Sequence, residues 1–362
     1  MKRRLLVLVS PLGEAMAREA AEICAAFARD FEIRTLAVRS ERSRFERAGS
    51  AFTPFRPSGI IGMGRAVATL RRTVQRFDPD VVHVHGFAAA SVALGTFPEA
   101  LARRTIATFH DPLRDKELPE KLVDRRFPAY LARASAVSAT YPSLQDMLER
   151  RFALPAGSVA VIPHGVDDAL GATALARPGG RLGPVIGWSG TLAADRSWET
   201  AIDGLAAVRV ELFEARLVIA GSGPARQFVA AQVRRQKLSN MVRFAGEVPH
   251  AELFAAIDML VVPISRDAQP HVLLEALAAG IPVVASAGGA LADAVQDYET
   301  GWLVDDDAAG IALGVRDAWS QIDRAWEGAA EQRGAARVRY GRSSVVAAYR
   351  RLYDAALAAR DA

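Results

Sequence analysis

Cysteine is nearly missing from this chain: its 362 residues hold one, Cys24. A single thiol excludes an internal disulfide framework and fits a reducing compartment, so the expected location is the cytoplasm. Its place among alanines marks Cys24 as a small core residue on the first helix. Aromatic side chains are also scarce, at 7%, and form no basic–aromatic recognition pattern, which argues against nucleic-acid recognition. No apolar run approaches the ~18 residues of a membrane span. The run LLVLV, Leu5 to Val9, is too short for the apolar region of a signal peptide and reads as a buried first strand. There is no G-x-S-x-G elbow and no Walker A loop.

What is present is ample core material. Hydrophobic residues make up 51% and charged ones 24%, an ordinary globular balance. The length suggests two domains at roughly 100–200 residues each. The net charge of +4 is unevenly placed: residues 1–180 carry 26 Lys/Arg against 19 Asp/Glu, and residues 181–362 carry 19 against 22. A basic first half favours an anionic partner there, such as phospholipid or a phosphorylated acceptor.

The two halves share one grammar. RRLLVLVS, EIRTLAVRS, DVVHVHG, RTIATFHD, ASAVSAT and SVAVIPHG read as strands, with helical stretches such as AMAREAAEICAAFARDF between most of them. The segment 167–184, rich in Gly, Pro and Ala, reads as a linker. PVIGWSG, ARLVIAGSG, MVRFAGEV, MLVVPIS, PVVASAGG and TGWLVDDD then repeat the pattern. Strands alternating with helices imply parallel, doubly wound α/β sheets. The expected domains are 1–175, 176–342 and a C-terminal helix over 343–362 that crosses back to the first domain.

The most informative stretch is DAQPHVLLEALAAGIPVVAS, Asp267 to Ser286. Pro270 suits a helix start, HVLLEALAA a short apolar helix, Gly280 its stop, and Pro282 lies just beyond. A strand precedes the segment and PVVAS follows as another. Asp267 therefore sits where a strand gives way to a helix N-terminus, and Glu275 follows in that helix. Open α/β sheets bind ligands at that place, and helix N-termini favour phosphate. A carboxylate there can accept two hydrogen bonds from a vicinal diol.

These 20 residues resemble the signature of the retaining family 4 glycosyltransferases of GT-B fold, an acid and a glutamate eight positions apart. Asp267 stands for the family's first glutamate and His271 for its asparagine. LVIAGSGPA, VRFAGEVPHAEL, DVVHVHG, IATFHD, VAVIPHGVD and TGWLV resemble further family blocks, so the likeness covers nearly the whole chain. It implies two Rossmann-like domains with an interdomain cleft. It also implies transfer of a hexose-type sugar from a nucleotide-diphosphate sugar to an acceptor hydroxyl, with retention and no required metal or cofactor.

The resemblance assigns roles residue by residue. Glu275 takes the ribose, Asp267 the donor sugar, and the backbone N–H groups of Val272 and Leu273 the diphosphate. In the loop after PVIGWSG, Gly190 is followed by Thr191 where the family has arginine, and Arg196 stands at the family's lysine. Gly13 and Gly221 supply glycine turns, and backbone from Gly246 to Val248 the nucleobase contact. His110, in TFHDP, reaches the donor sugar. The catalytic set is thus His110, Asp267 and Arg196.

The other features receive plainer readings. His83 and His85 share a face of one strand, yet two ligands fall short of a metal site. His164 reads as structural. The helix over 59–77 has Met63, Val67, Leu70, Val74 and Phe77 on one face and four arginines elsewhere, which suits core packing, with peripheral contact to an anionic membrane as the alternative. Two rival functions remain: nucleotide-sugar epimerisation, and a catalytically weak nucleotide-sugar-binding subunit.

Overall fold

Thirteen strands in two sheets organise the residues described by the computed structural model, namely 2–11, 14–57, 59–112, 120–172, 175–193, 197–263, 270–295 and 301–361. The chain divides into two compact units, Met1–Gly165 with Ser343–Ala362, and Val166–Arg342.

The first unit holds β1 (Arg3–Val9), β2 (Phe31–Ala37), β3 (Ala51–Pro54), β4 (Val81–His85), β5 (Thr105–Phe109), β6 (Ala136–Ala139) and β7 (Val159–Val161). They pair in parallel in the order β3-β2-β1-β4-β5-β6-β7. Central strands of such sheets are covered on both faces, so they read as continuous apolar runs. Leu5 to Val9 and Val81 to His85 are accordingly buried throughout. The edge strand β3 is half-buried to exposed and ends in Pro54, as an edge tolerates.

Packing explains the rest of this unit. Met16, Ala20, Ile23, Cys24 and Phe27 line the buried stripe of the helix Glu14–Phe27. The C-terminal helix Arg342–Asp361 adds Val345, Tyr349 and Tyr353 to the same core, and Tyr353 lies 4.8 Å from the Phe27 ring. On the helix Gly59–Phe77, Ala66, Leu70 and Phe77 are buried while Arg65, Arg71, Arg72 and Arg76 are exposed. Met63, Val67 and Val74 of the same stripe are half-buried. No helix among the described residues is long and apolar enough to cross a membrane.

The second unit holds β8 (Val185–Ser189), β9 (Arg216–Ala220), β10 (Val242–Gly246), β11 (Met259–Val262), β12 (Val283–Ser286) and β13 (Gly301–Val304). The parallel order is β10-β9-β8-β11-β12-β13. The chain starts at β8, builds outward to β10, then crosses to β11 and builds the other way. The order thus reverses between β8 and β11, a topological switch point of the kind at which open sheets bind ligands. In the first unit the switch lies between β1 and β4.

The helix His271–Ala279 follows β11 and packs on the helix Ile322–Tyr340, and all nine of its residues are buried. Gly280 ends it at φ 74°, ψ 40°, a left-handed cap that costs glycine little. Residues 167–184 form no helix or strand among those described. They are nonetheless anchored, because Arg181 donates at 2.8 Å to Asp258, whose side chain is fully buried.

Candidate active site

In the first unit, a parallel sheet places the residues at its C-terminal strand ends side by side. His85 ends β4 and His110 follows β5, and His85 Nδ1 lies 3.0 Å from His110 Nε2. Both side chains are buried. Burial, with His83 next to it, holds His85 well below the usual imidazole range. A single proton joins the two rings, carried by His85 Nδ1 or by His110 Nε2. His110 is held by that bond, and its ring stacks on His164 at 5.2 Å.

His83 takes a different part. Its Nδ1 lies 2.8 Å from the Tyr353 hydroxyl and its Nε2 2.7 Å from Thr108 Oγ1, which continues to Ser138 Oγ at 2.7 Å. With both nitrogens engaged by hydroxyls, His83 has no lone pair to offer a metal. Burial, reinforced by His110, pushes it down to about 3. Glu19 opposes that shift. This acid sits on the buried stripe of the first helix, is 2% exposed, accepts from the Gly165 N–H at 3.2 Å and lies 3.5 Å from His164 Nδ1. Sequence reasoning passed over Glu19. Its spacing, three residues after Met16 and four before Ile23, already puts it on the apolar face.

In the second unit, the loops after β8, β9 and β10 are joined through glycine. Gly190 donates to Ala220 at 3.1 Å, and Gly221 donates to Gly246 at 2.6 Å. Gly221 has φ 133°, and a Cβ on it would lie 2.0 Å from the Gly190 carbonyl oxygen. No other residue fits there. Leu192 is buried and bonded by its N–H to Ser222, which leaves its neighbour Thr191 exposed.

Glu275 lies across the switch point, on the helix after β11, and is 6% exposed. A carboxylate so buried requires hydrogen-bond partners. His250 Nδ1 donates to its Oε2, and His250 Nε2 lies 2.9 Å from Ser189 Oγ at the end of β8. Neither His250 nor Ser189 was singled out from sequence. At the far end of that helix, Gly280 and Ile281 donate back to Leu277 and Ala276 and close it. At its start, the Leu273 N–H donates to the Pro270 carbonyl at 3.1 Å. Of the two amides expected on a diphosphate, one is thus already engaged within the first turn.

Comparison with known proteins decides the family. A profile described as Glycosyltransferase Family 4 matches residues 16–170, and one described as Glycosyl transferases group 1 matches residues 183–321. The chain belongs to the family 4, group 1 glycosyltransferases. This glycosyltransferase is similar to the 2-deoxystreptamine N-acetyl-D-glucosaminyltransferase of Streptomyces fradiae, 27% identical over 80% of this chain and 74% of that protein. It is 30% identical to the glycogen synthase of Mycobacterium tuberculosis, over 67% of this chain and 61% of that one. Its fold matches Anabaena HepE in complex with UDP, with a TM-score of 0.78 at 18% identity, covering 97% of this chain and 99% of that one. The fold is therefore GT-B, two Rossmann-like domains.

Within this glycosyltransferase, Gly190, Gly221 and Gly246 meet in one assembly of loops. Val248 is half-buried, and His271, Val272, Leu273 and Glu275 share the helix at the switch point. His110 stands in the histidine cluster of the first unit. Gly13, Arg196 and Asp267 lie outside the described residues.

Proposed function

We propose that this glycosyltransferase moves a hexose-type sugar from a UDP-sugar to an acceptor hydroxyl with retention of anomeric configuration. The observation that carries the reading is the placement of Glu275: a buried carboxylate across a topological switch point from the interlocked glycine loops. A diphosphate suits the glycine loops, where the missing side chains let it approach the backbone, and the helix start, whose dipole favours an anion. A ribose diol suits the carboxylate, which accepts from both hydroxyls. Backbone from Gly246 to Val248 takes the base.

The chemistry then needs charge at two places. The departing diphosphate gains negative charge, and Arg196 with the Thr191 hydroxyl answers it. The sugar's anomeric carbon gains positive charge, and Asp267 answers that. The family resemblance gives His110 a contact with the donor sugar, and His85 holds its ring at 3.0 Å. No step in this scheme calls for a metal or a cofactor. UDP is favoured as nucleotide because HepE binds it, and a hexosamine or hexose as sugar because of the two curated relatives.

The test is a panel of UDP-, GDP- and ADP-sugars, each scored for thermal stabilisation and then for product. A bound donor raises the melting temperature by mass action. The expected result is stabilisation by a UDP-hexose and, with a sugar acceptor, a glycoside whose anomeric proton keeps the donor's configuration by NMR. Free sugar or an epimerised nucleotide as sole product would overturn the transfer reading.

A further inference from the structure

We infer that His250 is a positioning residue that sets Glu275 for the ribose and thereby gives the enzyme its preference for ribonucleotide over deoxyribonucleotide donors. This rests on the reading of Glu275 as the ribose acid. It adds a chain of contacts that reading does not require.

The contacts are three. His250 Nδ1 donates to Glu275 Oε2, its Nε2 meets Ser189 Oγ at 2.9 Å, and its ring stacks on Phe254 at 5.9 Å with an interplanar angle of 28°. Phe254 is fully buried. The imidazole is thus pinned on one face by its own helix and at both nitrogens by other elements. A neutral ring satisfies both bonds when Ser189 donates its hydroxyl to Nε2 and Nδ1–H is given to the carboxylate.

The physical consequence concerns Glu275. The terminal torsion of a glutamate is broad, so an untethered carboxylate spreads over many planes. One fixed N–H on Oε2 selects a plane and so defines where the Glu275 carboxylate can accept. A site built to accept a hydroxyl discriminates strongly against an analogue lacking it, provided the acceptor is held in place. Preorganisation also removes an ordering cost that binding would otherwise carry. Ser189 directly precedes Gly190, so the same chain ties the ribose acid to the interlocked loops on the other side of the switch point.

A purely structural His250 would hold its short helix, His250–Ala256, to the helix His271–Ala279 and nothing more. The two roles separate in nucleotide selectivity. The probe is whichever of UDP, GDP and ADP most stabilises the wild type, together with its 2′-deoxy counterpart, both titrated by calorimetry. The variants are His250→Phe, which keeps the ring and loses both bonds, and His250→Asn, whose amide nitrogen replaces Nδ1 and still donates to Glu275. Ser189→Ala loosens the ring alone.

The wild type should prefer the ribonucleotide by roughly tenfold or more. His250→Phe should lose roughly tenfold in ribonucleotide affinity with little change for the deoxy form, bringing the ratio near one. His250→Asn should restore most of the ratio, and Ser189→Ala should fall between. Should His250→Phe fail to fold, the Asn and Ala variants decide by the same ratio. Equal losses for both nucleotides, or a wild-type ratio in His250→Phe, would overturn the positioning role and leave the nucleotide site intact. A wild type that binds none of the three nucleotides would overturn the site reading and this inference with it.

Discussion

Acidification should unfold the first unit before the second, because the first carries buried neutral histidines. His83 has an ordinary value of 6.5 and is driven to about 3 in the fold, mainly by burial. Below pH 6.5 the unfolded chain takes up a proton that the folded state refuses. The stability that His83 contributes is therefore complete above pH 6.5 and is lost as pH falls from 6.5 towards about 3. Lowering pH from 7.5 to 5.0 removes about 2 kcal/mol for one such group. His85 is shifted in the same direction by burial and by its neighbour His83, so the acid loss of the unit exceeds that of His83 alone. The two units can be read apart because all five tryptophans, Trp188, Trp198, Trp302, Trp319 and Trp326, lie in the second. Urea unfolding by tryptophan fluorescence follows the second unit, and far-UV circular dichroism follows both. The dichroism transition should split at pH 5.0, with an early phase the fluorescence does not see. His83→Gln, which carries no proton and keeps amide contacts for Thr108 and Tyr353, should recover about 2 kcal/mol of that early phase. An acid shift of the same size in wild type and His83→Gln would refute the assignment.

Three further outcomes follow from geometry already described. Gly221→Ala forces a left-handed backbone onto alanine and drives its Cβ into the Gly190 carbonyl, so the second unit should lose roughly 3 kcal/mol or more, read by fluorescence-detected unfolding. Arg181→Ala leaves the buried Asp258 without its cation and should cost about 2 kcal/mol, less than a fully buried pair because Arg181 is partly exposed; an unchanged urea midpoint would show that the Val185 N–H suffices. Arg196→Ala should lower kcat roughly 10- to 100-fold with little change in KM, while Thr191→Arg is neutral or activating; an unchanged kcat in the alanine variant would place the diphosphate elsewhere.

The parts legible in the sequence were those that a local pattern announces. Every strand with a continuous apolar run was readable, and so was the helix His271–Ala279, because Pro270 and Gly280 mark both ends. The strand β3 was not, since AFTP is short, half-exposed and ends in proline. The helix Ile322–Tyr340 buries Ile322, Trp326, Ala329 and Tyr340 amid charged residues, too sparse a stripe to stand out. Among candidate-site residues, Glu275 was legible through its place in a short helix eight positions after Asp267, and Gly190, Gly221 and Gly246 through glycine turns at strand ends. Ser189 and His250 were not. Their partnership joins residues 61 apart, and that of His250 with Glu275 joins residues 25 apart, distances at which no local period carries information. Glu19 lies between these cases: its spacing was visible, while its burial came from a contact with Gly165, 146 residues away.

The proposed function rests on Glu275 holding the donor nucleotide through its ribose. Calorimetric titration of UDP into the wild type, Glu275→Gln and Glu275→Ala tests it most directly. The glutamine amide retains one accepting oxygen, whereas alanine retains none. Hydrogen bonds to a charged group contribute about 1.5–3 kcal/mol, so affinity should fall in the order wild type, Gln, Ala, with Ala weaker by roughly 10- to 150-fold. Equal UDP affinity in all three proteins would remove Glu275 from the site.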